Sequence, residues 1–204
     1  MSNHGGGPGA GRSGLGARLL AVPLRWLGLG TGVAGLAASG LFGGLDTVTK
    51  PEVPTVAVGT VVDGGPWNVT VTGSRLVGEL PKLHLRDGRR WFSVLATVEN
   101  TADESRTDFG DAIRLTGVAG IAEERPSQVL LVRDGSRPSY LNPGLPERLA
   151  FLWEQDDSTP VPTSATVQVW GTTRRLDTIG ETWEWLDPER RAEVEVPVQD
   201  RRAG

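Results

Sequence analysis

The stretch Trp91-Phe92-Ser93-Val94-Leu95-Ala96-Thr97-Val98-Glu99-Asn100 alternates with period two. Phe92, Val94, Ala96 and Val98 share one face, and Trp91, Ser93, Leu95, Thr97 and Glu99 share the other. A run this long with one uniformly apolar face is the pattern of a central strand whose inner side lies in a sandwich core. Val94 is therefore expected inside and Thr97 outside.

The flanking sequence divides into further short runs with turn chemistry between them. Val56–Val62 leads into the turn Asp63-Gly64-Gly65-Pro66. In the next run, which extends to Val77, Trp67, Val69 and Val71 alternate with Asn68, Thr70 and Thr72. Asp87-Gly88 is hairpin chemistry and predicts that Leu83–Arg86 pairs with the central strand. Ala112–Thr116 and Gln128–Arg133 are shorter strands, the latter followed by Asp134-Gly135, and Asn142-Pro143-Gly144 is another turn. Arg148–Glu154 places Leu149, Phe151 and Trp153 on one face. Ala165–Thr173 does the same with Ala165, Val167 and Val169, and Ala192–Val198 with Val194, Val196 and Val198. About eight short strands and no long amphipathic helix predict an all-β protein, an antiparallel sandwich over residues 56–198. Residues 199–204 read as a disordered tail.

Composition supports that class. Gly 28 and Pro 14 in 204 residues, with 38% apolar residues, favour short strands and turns. Residues 1–45 carry Arg12, Arg18 and Arg25 and no acid, while the remainder has 25 acids against 18 bases. A mildly acidic domain without a basic stripe argues against nucleic acid. The absence of cysteine excludes disulfides, thiolate metal sites and a cysteine nucleophile.

Residues 1–14 are Gly- and Ser-rich, the composition of a disordered tail. Residues 15–45 read as a membrane anchor. Its core, Trp26 to Leu45, is uncharged and ends at Asp46. As a helix it spans about 30 Å, the thickness of the hydrocarbon core. Arginines on its N-terminal side predict a cytoplasmic N-terminus and an extracytoplasmic C-terminal domain. Small residues around Ala37 and Ser39 leave open a cleaved signal peptide and a secreted domain. Gly28-x-x-x-Gly32 and Gly40-x-x-x-Gly44 leave open close helix packing, as in an accessory subunit of a membrane complex. Gly30-Thr31-Gly32-Val33-Ala34-Gly35 matches a dinucleotide-binding pattern but lacks its strand, amphipathic helix and downstream acid, so no cofactor is expected. Residues 46–55, with Pro51 and Pro54, form an extended linker.

The catalytic inventory is thin. His84 is the lone histidine outside the N-terminal tail, and Ser93 has no nucleophile-elbow context. Asp108-Phe109-Gly110 spells a kinase triplet without the rest of a kinase. Glu193 and Glu195 share a solvent-facing strand side rather than a cleft. Asp103, Glu104, Asp108 and Asp111 crowd the loop 101–111, but Arg106 lies among them and calcium-loop spacing is absent, so the loop reads as solvated. The expectation is no catalytic, cofactor or metal residues.

The tryptophans are more informative. Trp67 and Trp153 fall on apolar faces and belong to the core. Trp91 and Trp170 fall opposite their strands' apolar faces, and Trp183-Glu184-Trp185 sets two rings on one side of an extended piece. Outward tryptophans stack on sugars or grip a protein, so Trp91, Trp170, Trp183 and Trp185 are the candidate ligand or partner surface. The competing reading is that Trp183–Leu186 covers Trp91 or Trp170.

Val94-Leu95-Ala96-Thr97-Val98-Glu99-Asn100-Thr101, followed by Leu141-Asn142-Pro143-Gly144 and Phe151, resembles the immunoglobulin-like, telokin-like ectodomains of bacterial secreted proteins. The layout is also similar to uncharacterised single-helix membrane proteins of GC-rich bacteria. The resemblance implies an immunoglobulin-like sandwich outside the cell and carries no catalytic residue. The expected function is a non-enzymatic, membrane-anchored module, held by residues 26–45, that contacts an envelope protein or a wall polymer.

Overall fold

A computed structural model describes residues 52–81, 83–177 and 180–202. The expected anchor, the N-terminal tail and most of the linker lie outside these residues. Nine strands are present among them. These are β1 (Thr55–Val56), β2 (Val61–Asp63), β3 (Trp67–Val77), β4 (Arg89–Asn100), β5 (Ile113–Thr116), β6 (Gln128–Leu131), β7 (Glu147–Asp156), β8 (Ser164–Asp177) and β9 (Thr182–Asp200). A short 3-10 helix, Asp108–Ala112, precedes β5. No helix among the described residues is long and apolar enough to cross a membrane.

The fold is a β-sandwich with β4 at the centre of one layer. β4 pairs antiparallel with β3 on one side and with β7 on the other, and β7 pairs with β6. The second layer is formed by β5, β8 and β9, with β1 parallel to β9. Phe92, Val94, Ala96 and Val98 all point inward and are no more than 1% exposed. They meet Leu149, Phe151 and Trp153 from β7, and Ile113, Val167, Val169, Val194 and Val196 from the opposing layer. Burying these branched and aromatic side chains is what holds the layers face to face.

An irregularity in β3 ties the layers together. The register of β3 shifts between Val71 and Gly73. Before this bulge Trp67, Val69 and Val71 are buried, and after it Ser74 and Leu76 are. An added residue reverses the faces of a strand, because side chains alternate strictly. The shifted end, Ser74–Leu76, then pairs parallel with Val198–Asp200 of β9. The Ser74 hydroxyl donates to the Pro197 carbonyl at 3.0 Å. β9 thus belongs to both layers and runs to Asp200, beyond the expected end at Val198.

Other boundaries differ from expectation for identifiable reasons. The single strand expected at Val56–Val62 is two strands, β1 and β2, on different layers. The break contains Gly59 at φ +87°, a conformation that glycine adopts without Cβ strain. Leu83–Arg86 forms no strand. Leu80, Leu83 and Leu85 fold instead over the outer face of the first layer, against Trp91, Leu130 and Leu152. Packing satisfies that alternation, and the one backbone bridge there, Leu80 with Leu83, lies within the loop rather than on the central strand. β8 and β9 extend well past Thr173 and start well before Ala192, as a hairpin with polar residues on both sides and no period-two signal.

Asn100 closes the end of β4. It is fully buried, and its side-chain NH2 donates to the carbonyls of Glu104 and Leu141 at 2.7 and 2.9 Å. The Gly144 N–H donates to the Asn100 carbonyl at 2.8 Å. The two phrases of the sequence resemblance are therefore joined in space, and loop 101–106 is pinned between them.

Candidate functional site

The site begins with a close backbone contact. The turn before β3 packs against β8 where the register of β8 breaks, and the Thr172 N–H donates to the Gly64 carbonyl at 3.0 Å. A Cβ on Gly171 would lie 2.5 Å from the Gly64 Cα. One on Gly65, which has φ +86°, would lie 2.2 Å from the Thr172 carbonyl oxygen and 2.9 Å from the Trp185 ring. Two glycines are required for this approach. It carries Trp67, at the start of β3, to the same place as Trp170 and Trp185.

These three rings line a pocket of about 220 Å³, closed on its other side by the 3-10 helix and β5. Trp67 sits edge-on to Phe109, with ring centres 6.3 Å apart. The Trp170 ring N–H donates to the Gln168 side-chain oxygen at 3.2 Å. Arg106 lies 5.8 Å from the Trp67 ring centre and 6.0 Å from that of Trp185. Its guanidinium grips Asp108 through two hydrogen bonds, 3.0 and 2.6 Å. Asp111 is paired with Arg125 at 3.1 Å. The Arg114 guanidinium carbon lies over the Trp170 ring, 3.8 Å from its centre. Arg114 has no hydrogen-bond or ion-pair partner among the described residues, and its Nε is buried.

Beyond Trp185 the site opens into a groove of about 580 Å³. One bank is Thr101–Glu104, and the other is the β8–β9 hairpin with Arg174, Trp183 and Trp185. Arg174 pairs in register with Trp185, and Leu176 with Trp183, so all four share one face of the hairpin. Trp183 is 62% exposed and Leu176 47%. The Arg174 guanidinium lies 5.8 Å from the Trp183 ring centre.

Of the four tryptophans expected on a surface, Trp170, Trp183 and Trp185 converge here. Trp91 does not. It is 2% exposed on the outer face of the first layer, covered by Leu80, Leu83 and Leu85 rather than by Trp183–Leu186. The face was read correctly from alternation, and a loop closes it. Arg114, Arg106 and the two glycines were not anticipated. The available signal for Arg114 was a cation set between the inward residues Ile113 and Leu115.

The remaining polar candidates other than Asp108 and Asp111 lie apart from this pocket. Glu193 accepts from Arg190 at 2.7 Å, and Glu195 accepts from the Ser164 hydroxyl at 2.9 Å. Ser93 is fully buried, and His84 is exposed on the loop that covers Trp91. Asp108 and Asp111, from the acidic loop 101–111, are taken by arginines. Among the described residues no three His, Asp or Glu side chains are grouped to hold a metal ion.

No protein-family model matches this chain, and no curated protein matches it. Among solved structures, the chain is similar to an uncharacterised β-sandwich protein from Clostridium difficile 630. The two are 11% identical, with 74% of this chain and 99% of that one covered, at a TM-score of 0.42.

Proposed function

We propose that the protein is a non-enzymatic binding module, anchored in a membrane by residues 26–45, whose immunoglobulin-like domain grips a wall polymer outside the cell. The observation that carries the binding reading is the groove containing Trp183 and Trp185. A flat exposed indole beside a second indole, with Thr101, Asp103, Glu104 and Thr182 on the walls, offers ring faces and many acceptors. Sugar rings use both kinds of surface, an apolar face and a rim of hydroxyls. What supports the immunoglobulin-like reading is strand order. β3-β4-β7-β6 and β5-β8-β9 follow the four- and three-stranded sheets of a constant-type domain, with β1 parallel beside β9.

Co-sedimentation of the full chain with isolated wall polymer tests the groove. Trp183→Ala is expected to cost about 2 kcal/mol, the scale of a binding hot spot, or roughly thirtyfold in affinity. Unchanged sedimentation removes the groove from the proposal. Anchoring is tested separately by intact mass of the membrane-bound protein, where a chain beginning near Ala38 or Gly40 makes it a secreted domain.

A second reading, a protein partner in the envelope, is favoured by the exposed cross-strand pair Leu176 and Trp183. In that case Leu176→Asp abolishes capture of the partner and leaves polymer sedimentation unchanged. The Gly-rich helix of an accessory subunit lies outside the described residues, and its exchange for an unrelated span tests that alternative.

A further inference from the structure

We propose that the pocket between Trp170 and Trp185 recognises a carboxylate-bearing sugar unit, with Arg114 as the group that reads the carboxylate. This rests on the polymer-binding reading above and names its ligand class.

The inference starts from charge. Asp108 and Asp111 face the pocket, but each is held by another arginine, Arg106 and Arg125. Arg114 is the surplus cation. A guanidinium carries five N–H donors and no acceptor, and none of those of Arg114 is used within the described residues. Its Nε is buried without a partner, an unfavourable state that an acceptor on a ligand relieves. Contact with the Trp170 ring restricts the Arg114 guanidinium, so less ordering remains to be lost when a carboxylate docks.

Size and shape narrow the class. At about 220 Å³ the pocket is smaller than usual small-molecule sites. It suits one ring of a polymer, whose chain continues along the neighbouring groove past Trp183. Trp185 lines both spaces and provides the continuity. A single unpaired cation matches a singly charged group, whereas the two nearby aspartates disfavour a more highly charged one. The chain beyond residue 45 carries 25 acids against 18 bases. A polyanion is therefore repelled by the domain as a whole, and retention of one requires a local site.

The test is affinity electrophoresis of the full chain in gels containing polygalacturonate, the same polymer as its methyl ester, or dextran sulfate. The expected result is at least tenfold tighter binding to polygalacturonate than to the ester, with no comparable binding to dextran sulfate. Arg114→Gln should remove the preference, bringing polygalacturonate and ester binding to the same level. Arg114→Lys, which keeps the charge but not the fork, should retain part of the preference and covers the case in which Arg114→Gln does not fold. Equal wild-type binding to acid and ester, equal binding to dextran sulfate, or an Arg114→Gln variant with the preference intact overturns the inference. So does binding to none of the three polymers. Failure here leaves the groove itself to be judged by the wall-polymer sedimentation of Trp183→Ala, so the two proposals fail separately.

Discussion

Val94 and Thr97 lie three residues apart on β4 and face opposite ways. Val94 is fully buried, between Ser74 and Phe151 in register, whereas Thr97 is half-buried between Thr70 and Arg148. An unpaired carboxylate at position 94 is expected to cost ~3 kcal/mol or more against a total stability of ~5–15. At position 97 it would sit beside Arg148. Val94→Asp should therefore melt about 10 °C or more below wild type, and Thr97→Asp should melt within a few degrees of it. A shared melting temperature for Val94→Asp and wild type would mean the faces of β4 are reversed. The same strand shows how a charge is made acceptable inside. Arg90 is 3% exposed, yet its guanidinium donates to Gln155 at 2.9 Å and to the Thr159 carbonyl at 2.8 Å, and it meets Asp157 at 3.3 Å. Donors spent in this way tie the 157–160 turn to the sandwich end.

The two elements least visible in the sequence each serve the surface rather than the core. The loop between β3 and β4 is an apolar cover for Trp91, and the β8–β9 hairpin is a projection that carries Trp183. The cover can be tested through the ring it hides. Leu83→Asp should free the loop and expose Trp91, so that tryptophan emission shifts to the red while the far-ultraviolet dichroism of the strands is retained. No shift would indicate that Trp91 is buried by β4 and its neighbours alone. The hairpin escaped prediction for a related reason. Period-two alternation arises where one strand face is dry and the other wet, and between residues 174 and 191 both faces are largely polar or exposed. Its pairing rests on backbone hydrogen bonds, on cross-strand neighbours such as Leu176 with Trp183, and on the Arg175–Asp187 ion pair at 2.9 Å.

At the scale of the whole domain, β9 makes the two layers one unit. It pairs with β8 and β1 in one layer and with β3 in the other, and both layers share a continuous core. The inner face of each layer is buried against the other. Residues 52–202 should therefore unfold in one cooperative step, with far-ultraviolet dichroism and tryptophan fluorescence giving coincident denaturant midpoints. Two separated midpoints would show the layers to be independent.

The sequence by itself determined which side chains are inside. Phe92, Val94, Ala96 and Val98, then Leu149, Phe151 and Trp153, then Ala165, Val167 and Val169 are all legible, because burial imposes a period that local order records. Turn chemistry at Asn142-Pro143-Gly144 was legible too, since asparagine, proline and glycine constrain their own backbone. The tertiary structure alone decided what happens to the outward residues. Trp91 and Trp170 carry the same local signal, yet a loop covers Trp91, while Trp170 stacks under Arg114 at the mouth of a pocket. The pocket depends on Gly64 and Gly65 meeting Gly171 across the fold, a contact between distant segments that leaves no periodic trace in either. An alternating pattern reports the side of a strand; the close approach of chains far apart in sequence determines what lies on that side.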